Sequence, residues 1–134
     1  PVVVGAHDKN FTLLSIEQPE LHIHPAIQCN LADELVNALF HSDRSTVEMQ
    51  SERVLLLETH SEHLMLRLLR RIRESYDDEL PPGVKGLSPE SLSVVYVEKN
   101  NQGVKITHLP VTEDGDFEKK WPKGFFEERT EELF

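Results

Sequence analysis

The sequence of 134 residues is short of basic residues. It has 14 Lys and Arg against 24 Asp and Glu, which gives a formal net charge of −10 at pH 7. A charge of this sign disfavours non-specific binding to nucleic-acid backbones and to anionic membranes, because both surfaces repel it. Any contact with nucleic acid is therefore expected to be local or to be made through other regions.

Cysteine is nearly absent, and so are long hydrophobic runs. The single cysteine, Cys29, excludes an internal disulfide, and it falls in an apolar periodic segment where a buried thiol is common. No apolar run has the length of a membrane span, and the first residues lack the features of a secretory signal. We therefore expect a cytoplasmic chain that does not enter a membrane. The strand-like opening at residues 1–5 further suggests a C-terminal portion of a longer protein.

Residues 11–17 form the first of two short apolar runs. The run suits a buried strand that ends before Pro19, because proline cannot donate a hydrogen bond to a neighbouring strand. Glu17 is then the last residue of that strand. Pro25 suits the first turn of a helix, and apolar residues at helical spacing predict that this helix covers residues 25–41.

Residues 54–58 form the second apolar run and predict another buried strand. Thr59 and Glu62 have the spacing of a capping box, and the apolar residues that follow predict a helix through about residue 75. A strand, a helix and a second strand in this order favour a parallel pair joined by a right-handed crossover. Both strands then end at the same edge of the sheet, so we expect Glu17 and His60 to face one crevice.

The remainder of the chain has a different pattern. Residues 77–92 are polar and punctuated by proline, as in a linker. Residues 93–98 and 104–111 are strand-like and predict an antiparallel hairpin at the edge of the sheet. The aromatic and acidic tail, with Trp121, Phe125 and Phe126, is expected to fold back on the core. The predicted organisation is an α/β core at residues 1–76, a linker at 77–92, and a hairpin with a C-terminal extension at 93–134.

Three segments resemble one known family. The first and most specific is Ile16-Glu17-Gln18-Pro19-Glu20-Leu21-His22-Ile23-His24-Pro25. It looks like the Walker B and D-loop segment of ABC-type predicted ATPases, the AAA-labelled relatives of the OLD nucleases and of the structural-maintenance-of-chromosomes proteins. Thr59-His60-Ser61 is similar to their switch-histidine loop, and the tail around Trp121 resembles an uncharacterised C-terminal extension of one subgroup. The implied fold is part of a P-loop NTPase of the ABC-head type, with parallel strands and crossover helices.

The resemblance implies roles for individual residues. Glu17 would hold Mg²⁺ through water, and His60 would contact the γ-phosphate of ATP. Gln18 matches the position where most relatives carry the glutamate that activates water, and an amide cannot accept a proton at neutral pH, so slow turnover is expected. His24 would lie at the dimer interface beside the partner's nucleotide. Glu20 is either a substitute base or a solvated side chain.

The expected cofactors are ATP and Mg²⁺, and the expected partner is the N-terminal remainder of a longer parent that forms a head-to-head homodimer. The sequence contains no G-x-x-x-x-G-K-[ST] phosphate loop and no Ser-Gly-Gly signature. Alone, the chain is therefore expected to bind ATP poorly, and the missing elements are expected to precede Pro1 in the parent. The resemblance also implies relatives in DNA repair and in defence against phage.

Other classes of function have residues in their favour. A metal-dependent hydrolase is one alternative, although no recognised spacing of ligands appears. Its nitrogen and oxygen ligands would come from His22, His24, His60, His63, Glu20, Glu58 and Glu62. A non-catalytic interaction module would use the hairpin and the aromatic tail. A small basic patch on one helix face would combine Arg67, Arg70 and Arg71 with Glu74.

Overall fold

The computed structural model describes residues 2–8, 11–40, 52–119 and 121, and over these ranges the fold is mixed α/β with two small sheets and two helices. In chain order the elements are β1 (Val2–Asp8), β2 (Phe11–Glu17), α1 (Pro25–Phe40), β3 (Glu52–Glu58), α2 (Glu62–Tyr76), β4 (Val94–Asn100) and β5 (Gly103–Leu109), with a 3₁₀ turn at Pro89–Ser91. Within the described ranges, neither helix is both long enough and apolar enough to cross a bilayer.

The chain forms two compact units, Pro1–Arg67 and Leu68–Phe134. The first unit contains β1, β2, α1, β3 and the first residues of α2. The second contains the remainder of α2 with the hairpin. The predicted organisation, with an α/β core at residues 1–76, a linker at 77–92 and a hairpin with a C-terminal extension at 93–134, stays a prediction.

The sheet of the first unit has the strand order β1-β2-β3. β2 and β3 are parallel, and their register runs from Phe11 opposite Glu52 to Glu17 opposite Glu58. The predicted parallel pair is therefore confirmed, and both strands end at one edge. β1 is the valine-rich opening of the chain, and it pairs antiparallel with β2 on the side away from β3.

The two faces of β3 differ in exposure. Alternate residues of a strand point to the same face, and the register places Val4, Val54 and Leu56 on one of them. These side chains are largely exposed, with 59 % of Leu56 accessible to solvent. On the opposite face Leu55 and Leu57 are partly buried, and α1 contacts β3. The face that carries Leu56 is called the open face below.

The two helices of this unit are set by their first turns. α1 begins at Pro25, as predicted, and buries Ala32 and Val36. α2 begins at Glu62, and the hydroxyl oxygen of Ser61 accepts a hydrogen bond from the backbone N–H of Leu64 at 3.0 Å. Ser61 therefore caps α2, and the predicted cap at Thr59 is wrong by two residues.

The second unit has its own core, which includes Leu68, Leu69, Ile72, Leu87, Val94, Leu109 and Val111. Leu87 lies in the segment expected to be a linker, so part of that segment is buried. Gly115 approaches α2 closely, since a Cβ placed on it would lie 2.2 Å from the carbonyl oxygen of Leu69. A residue without a side chain is therefore needed at that turn.

The predicted antiparallel hairpin is confirmed, with Asn100 paired to Gly103 across a two-residue turn. Its predicted place is wrong, because over the described ranges β4 and β5 form a two-stranded sheet of their own and are not at the edge of the parallel sheet. Trp121 contacts the rings of Tyr96 and Phe117, with centroid distances of 6.1 and 4.8 Å. The expectations for Phe125 and Phe126 lie outside the described residues.

Candidate functional site

The carboxyl ends of β2 and β3 bring two acidic residues together. Glu17 and Glu58 are opposite each other in the parallel register, and both side chains are exposed. Residues in register on neighbouring parallel strands point to the same face, with a strand spacing of about 4.8 Å. The open face therefore ends in a pair of carboxylates.

Gln18 follows directly and has an unusual backbone. Its φ is +45°, in the left-handed region that residues with a side chain seldom adopt. Its N–H donates to the carbonyl oxygen of Glu58 at 2.7 Å, and its own carbonyl accepts from the N–H of Leu21 at 3.0 Å. These two hydrogen bonds stabilise a tight turn at the end of β2, and strained backbone of this kind is common at functional sites.

Glu20 connects this turn to the turn that follows β3. Its Oε1 accepts a hydrogen bond from the backbone N–H of His60 at 2.7 Å, and its Oε2 accepts one from the hydroxyl of Thr59 at 2.8 Å. The side chain is half-buried. Glu20 is thus neither a freely solvated carboxylate nor an unengaged base.

His60 lies at the same edge as Glu17, as the sequence predicts. It directly follows Thr59 in the loop between β3 and α2, and its side chain is exposed. The N–H of the next residue, Ser61, donates to the hydroxyl oxygen of Thr59 at 3.0 Å. The backbone on both sides of the imidazole is therefore fixed by hydrogen bonds, and the ring itself remains accessible.

His24 has a structural function in addition to the role expected from the resemblance. Its Nδ1 accepts a hydrogen bond from the N–H of Ala26 at 3.2 Å, and its carbonyl accepts from the N–H of Ile27 at 2.8 Å. The ring thereby caps α1 in place of the more usual serine or aspartate. The role of His24 beside a partner's nucleotide stays a prediction.

One residue that sequence reasoning missed, Gln28, completes the connection between the turns. Gln28 donates from Nε2 to the carbonyl oxygen of Ile23 at 2.9 Å and accepts at Oε1 from the hydroxyl of Ser61 at 2.6 Å. Glu58 was missed as a neighbour of Glu17, although it ends the second apolar run as Glu17 ends the first. That symmetry is a signal in the sequence, whereas nothing in the pattern singles out Gln28.

The donor set at this edge suits a magnesium ion only in part. Mg²⁺ is usually held by one or two carboxylates, with water and substrate phosphates completing its shell, and Glu17 with Glu58 offers two carboxylates. Among residues 2–8, 11–40, 52–119 and 121 no group of three or more His, Cys, Asp or Glu side chains is arranged to hold a metal ion. The ligand set expected for a metal-dependent hydrolase is therefore not assembled in this part of the chain.

The arginines of α2 form ion pairs. In the first unit Arg67 pairs with Asp33 at 3.3 Å. In the second, Glu74 binds Arg70 at 2.5 Å and also binds Arg71, whose side chain is only 3 % exposed. The small basic patch expected as one alternative is therefore largely neutralised by partners of its own.

Glu74 has a lowered pKa in this arrangement. Burial is the largest single influence and would raise the pKa, but hydrogen bonds and charge from Arg70 and Arg71 together outweigh it. The carboxylate therefore stays ionised to lower pH than a free glutamate.

Comparison with known proteins concerns the C-terminal part of the chain. A family model described as "Protein of unknown function (DUF3696)" matches residues 87–134. No curated protein and no solved structure matches the chain. The match includes the hairpin and the tail, and it does not include the edge with Glu17 and His60.

Proposed function

We propose that this chain is the C-terminal part of an ABC-type ATPase and contributes the acidic and histidine side of a Mg-ATP site. The observation that carries the proposal is the parallel, in-register pairing of β2 and β3. This pairing gives the Walker B-like Glu17 and the switch-like His60 a common edge. Domains of the matched family are commonly found at the C-terminus of AAA-ATPase-like proteins, which agrees with this assignment.

In the proposed site Glu17, with Glu58 beside it, holds Mg²⁺ largely through water. When bound, such an ion would supply positive charge for the phosphates of ATP, and it would offset the repulsion between the carboxylates of Glu17 and Glu58. His60 donates a hydrogen bond to the γ-phosphate, for which its exposed ring and fixed backbone are suited. Gln18 orients the attacking water but cannot take its proton, so the intrinsic rate is low.

The phosphate loop of the proposed site would lie in a segment outside these 134 residues, which contain no G-x-x-x-x-G-K-[ST] motif. Parallel sheets are usually covered on both faces, yet the open face leaves Val4, Val54 and Leu56 exposed. We propose that the rest of the nucleotide-binding domain covers this face, and that two such domains dimerise head to head around ATP. A role in DNA repair or in defence against phage is proposed on the resemblance alone.

The test is ATP hydrolysis by the intact parent protein carrying Glu17→Ala or His60→Ala. Each substitution should lower kcat by about a hundredfold or more, because each removes a group that stabilises charge at the reacting phosphate. His63→Ala is the matched control, since His63 is an exposed histidine on α2 outside the proposed site. Hydrolysis that is unchanged in both site variants would refute the assigned roles.

A further inference from the structure

The turn that carries His60 is anchored by one side chain from a distant part of the chain. Glu20 lies 40 residues before His60, and its carboxylate accepts hydrogen bonds from two successive residues, Thr59 and His60. The hydroxyl of Thr59 is used twice, because it donates to Glu20 and accepts from the N–H of Ser61. The hydrogen bonds therefore form a continuous chain from Glu20 to the cap of α2.

The position of the charge strengthens this anchor. The carboxylate of Glu20 lies just before the N-terminus of α2, where the helix dipole favours negative charge. A hydrogen bond from a backbone N–H to an ionised carboxylate is also stronger than one to a neutral acceptor. No other acceptor for the N–H of His60 is present among the described residues, so loss of Glu20 would leave that N–H to solvent.

We propose that Glu20 is a positioning residue that fixes the backbone of His60 and so the direction of its imidazole. The assignment rests on the proposed function, because the imidazole needs a fixed direction only if it contacts a ligand. It replaces the expectation that Glu20 is a substitute base. Both carboxylate oxygens are engaged with the turn after β3, and a base would need one of them directed at water.

The contact is tested by amide hydrogen exchange on the 134-residue chain. Glu20→Ala should accelerate exchange of the His60 N–H by about tenfold to a hundredfold, because a charge-assisted hydrogen bond is lost. Thr59→Val, which leaves one of the two bonds, should have a smaller effect. Glu62→Gln is the control, since it removes the same charge at the first residue of α2 without touching this network.

The role is tested by ATP turnover of the intact parent. Glu20→Ala should lower kcat at unchanged KM, and Glu20→Gln should recover part of the loss because its carbonyl oxygen can still accept the N–H of His60. In a His60→Ala background the substitution of Glu20 should have no further effect.

Three results would overturn parts of this proposal. Unchanged exchange at His60 in Glu20→Ala would overturn the contact. Faster exchange with normal turnover, while His60→Ala is impaired, would overturn the positioning role. Turnover indifferent to both Glu20 and His60 would instead overturn the proposed function and leave the contact standing.

Discussion

Gln18 illustrates how the site depends on single residues. Its positive φ turns the chain at the end of β2, so that the carboxylate of Glu20 can accept the N–H of His60. Its N–H donates to the carbonyl oxygen of Glu58 and so links the ends of β2 and β3. The amide side chain can orient water but has no basic oxygen at neutral pH. The backbone of Gln18 therefore forms the turn at the end of β2, whereas its amide side chain cannot act as a general base.

On the proposed function, Gln18→Glu should raise the rate of ATP hydrolysis by the intact parent. General-base catalysis contributes about 10² to 10⁴ in rate, and an increase of at least tenfold is expected even if the new carboxylate is imperfectly placed. Single-turnover hydrolysis measures the chemical step directly. Gln18→Leu, which can neither orient water nor accept a proton, is the control and should fall below the natural protein. A rate that does not change in Gln18→Glu would mean that another group is the base.

At the scale of elements, the sequence was most informative where proline ends or begins a segment. β2 and the start of α1 agree with the prediction because Pro19 and Pro25 restrict the backbone on either side. The cap of α2 was misplaced because Thr59 and Ser61 are both good capping residues. The hydroxyl of Thr59 is engaged with Glu20, a contact that no local pattern reveals.

The ion pairs of α2 predict a pH dependence of stability. The pKa of Glu74 is lowered in the folded chain, so its contribution is fully present above the unfolded pKa of about 4.5 and is lost as pH falls through the lower folded pKa. Glu74→Ala should lower the free energy of unfolding at pH 7 by about 1–3 kcal/mol, because it removes the carboxylate that accepts charge-assisted hydrogen bonds from Arg70 and Arg71.

Urea denaturation at a series of pH values from 7 downward provides the measurement for Glu74. The difference between the natural chain and Glu74→Ala should shrink once the pH is below the unfolded value. Glu34→Ala, at an exposed position of α1, is the control and should change stability by less than about 0.5 kcal/mol. A constant difference at every pH would contradict the assigned ion pairs.

At the scale of the whole molecule, the order strand, helix, strand predicted the parallel pair and the common edge. That prediction needs only the two apolar runs and a crossover of sufficient length. The contacts of Glu20 and Gln28 could not be predicted, since they depend on where two turns from distant parts of the chain meet. The separate sheet of β4 and β5 was missed for a similar reason, because strand-like composition does not identify which strands pair.

The central physical claim is that Glu17 and the end of β3 lie side by side at one edge, and a disulfide cross-link tests it most directly. Cysteines would be placed at positions 17 and 58 in the 134-residue chain with Cys29→Ser, and a second variant would pair position 17 with position 52. Strands about 4.8 Å apart are within the Cα distance that a disulfide spans. Mass spectrometry after mild oxidation should find the 17–58 cross-link in high yield and none between 17 and 52. A cross-link formed only between 17 and 52 would mean that the strands are antiparallel, and it would remove the shared site of Glu17 and His60.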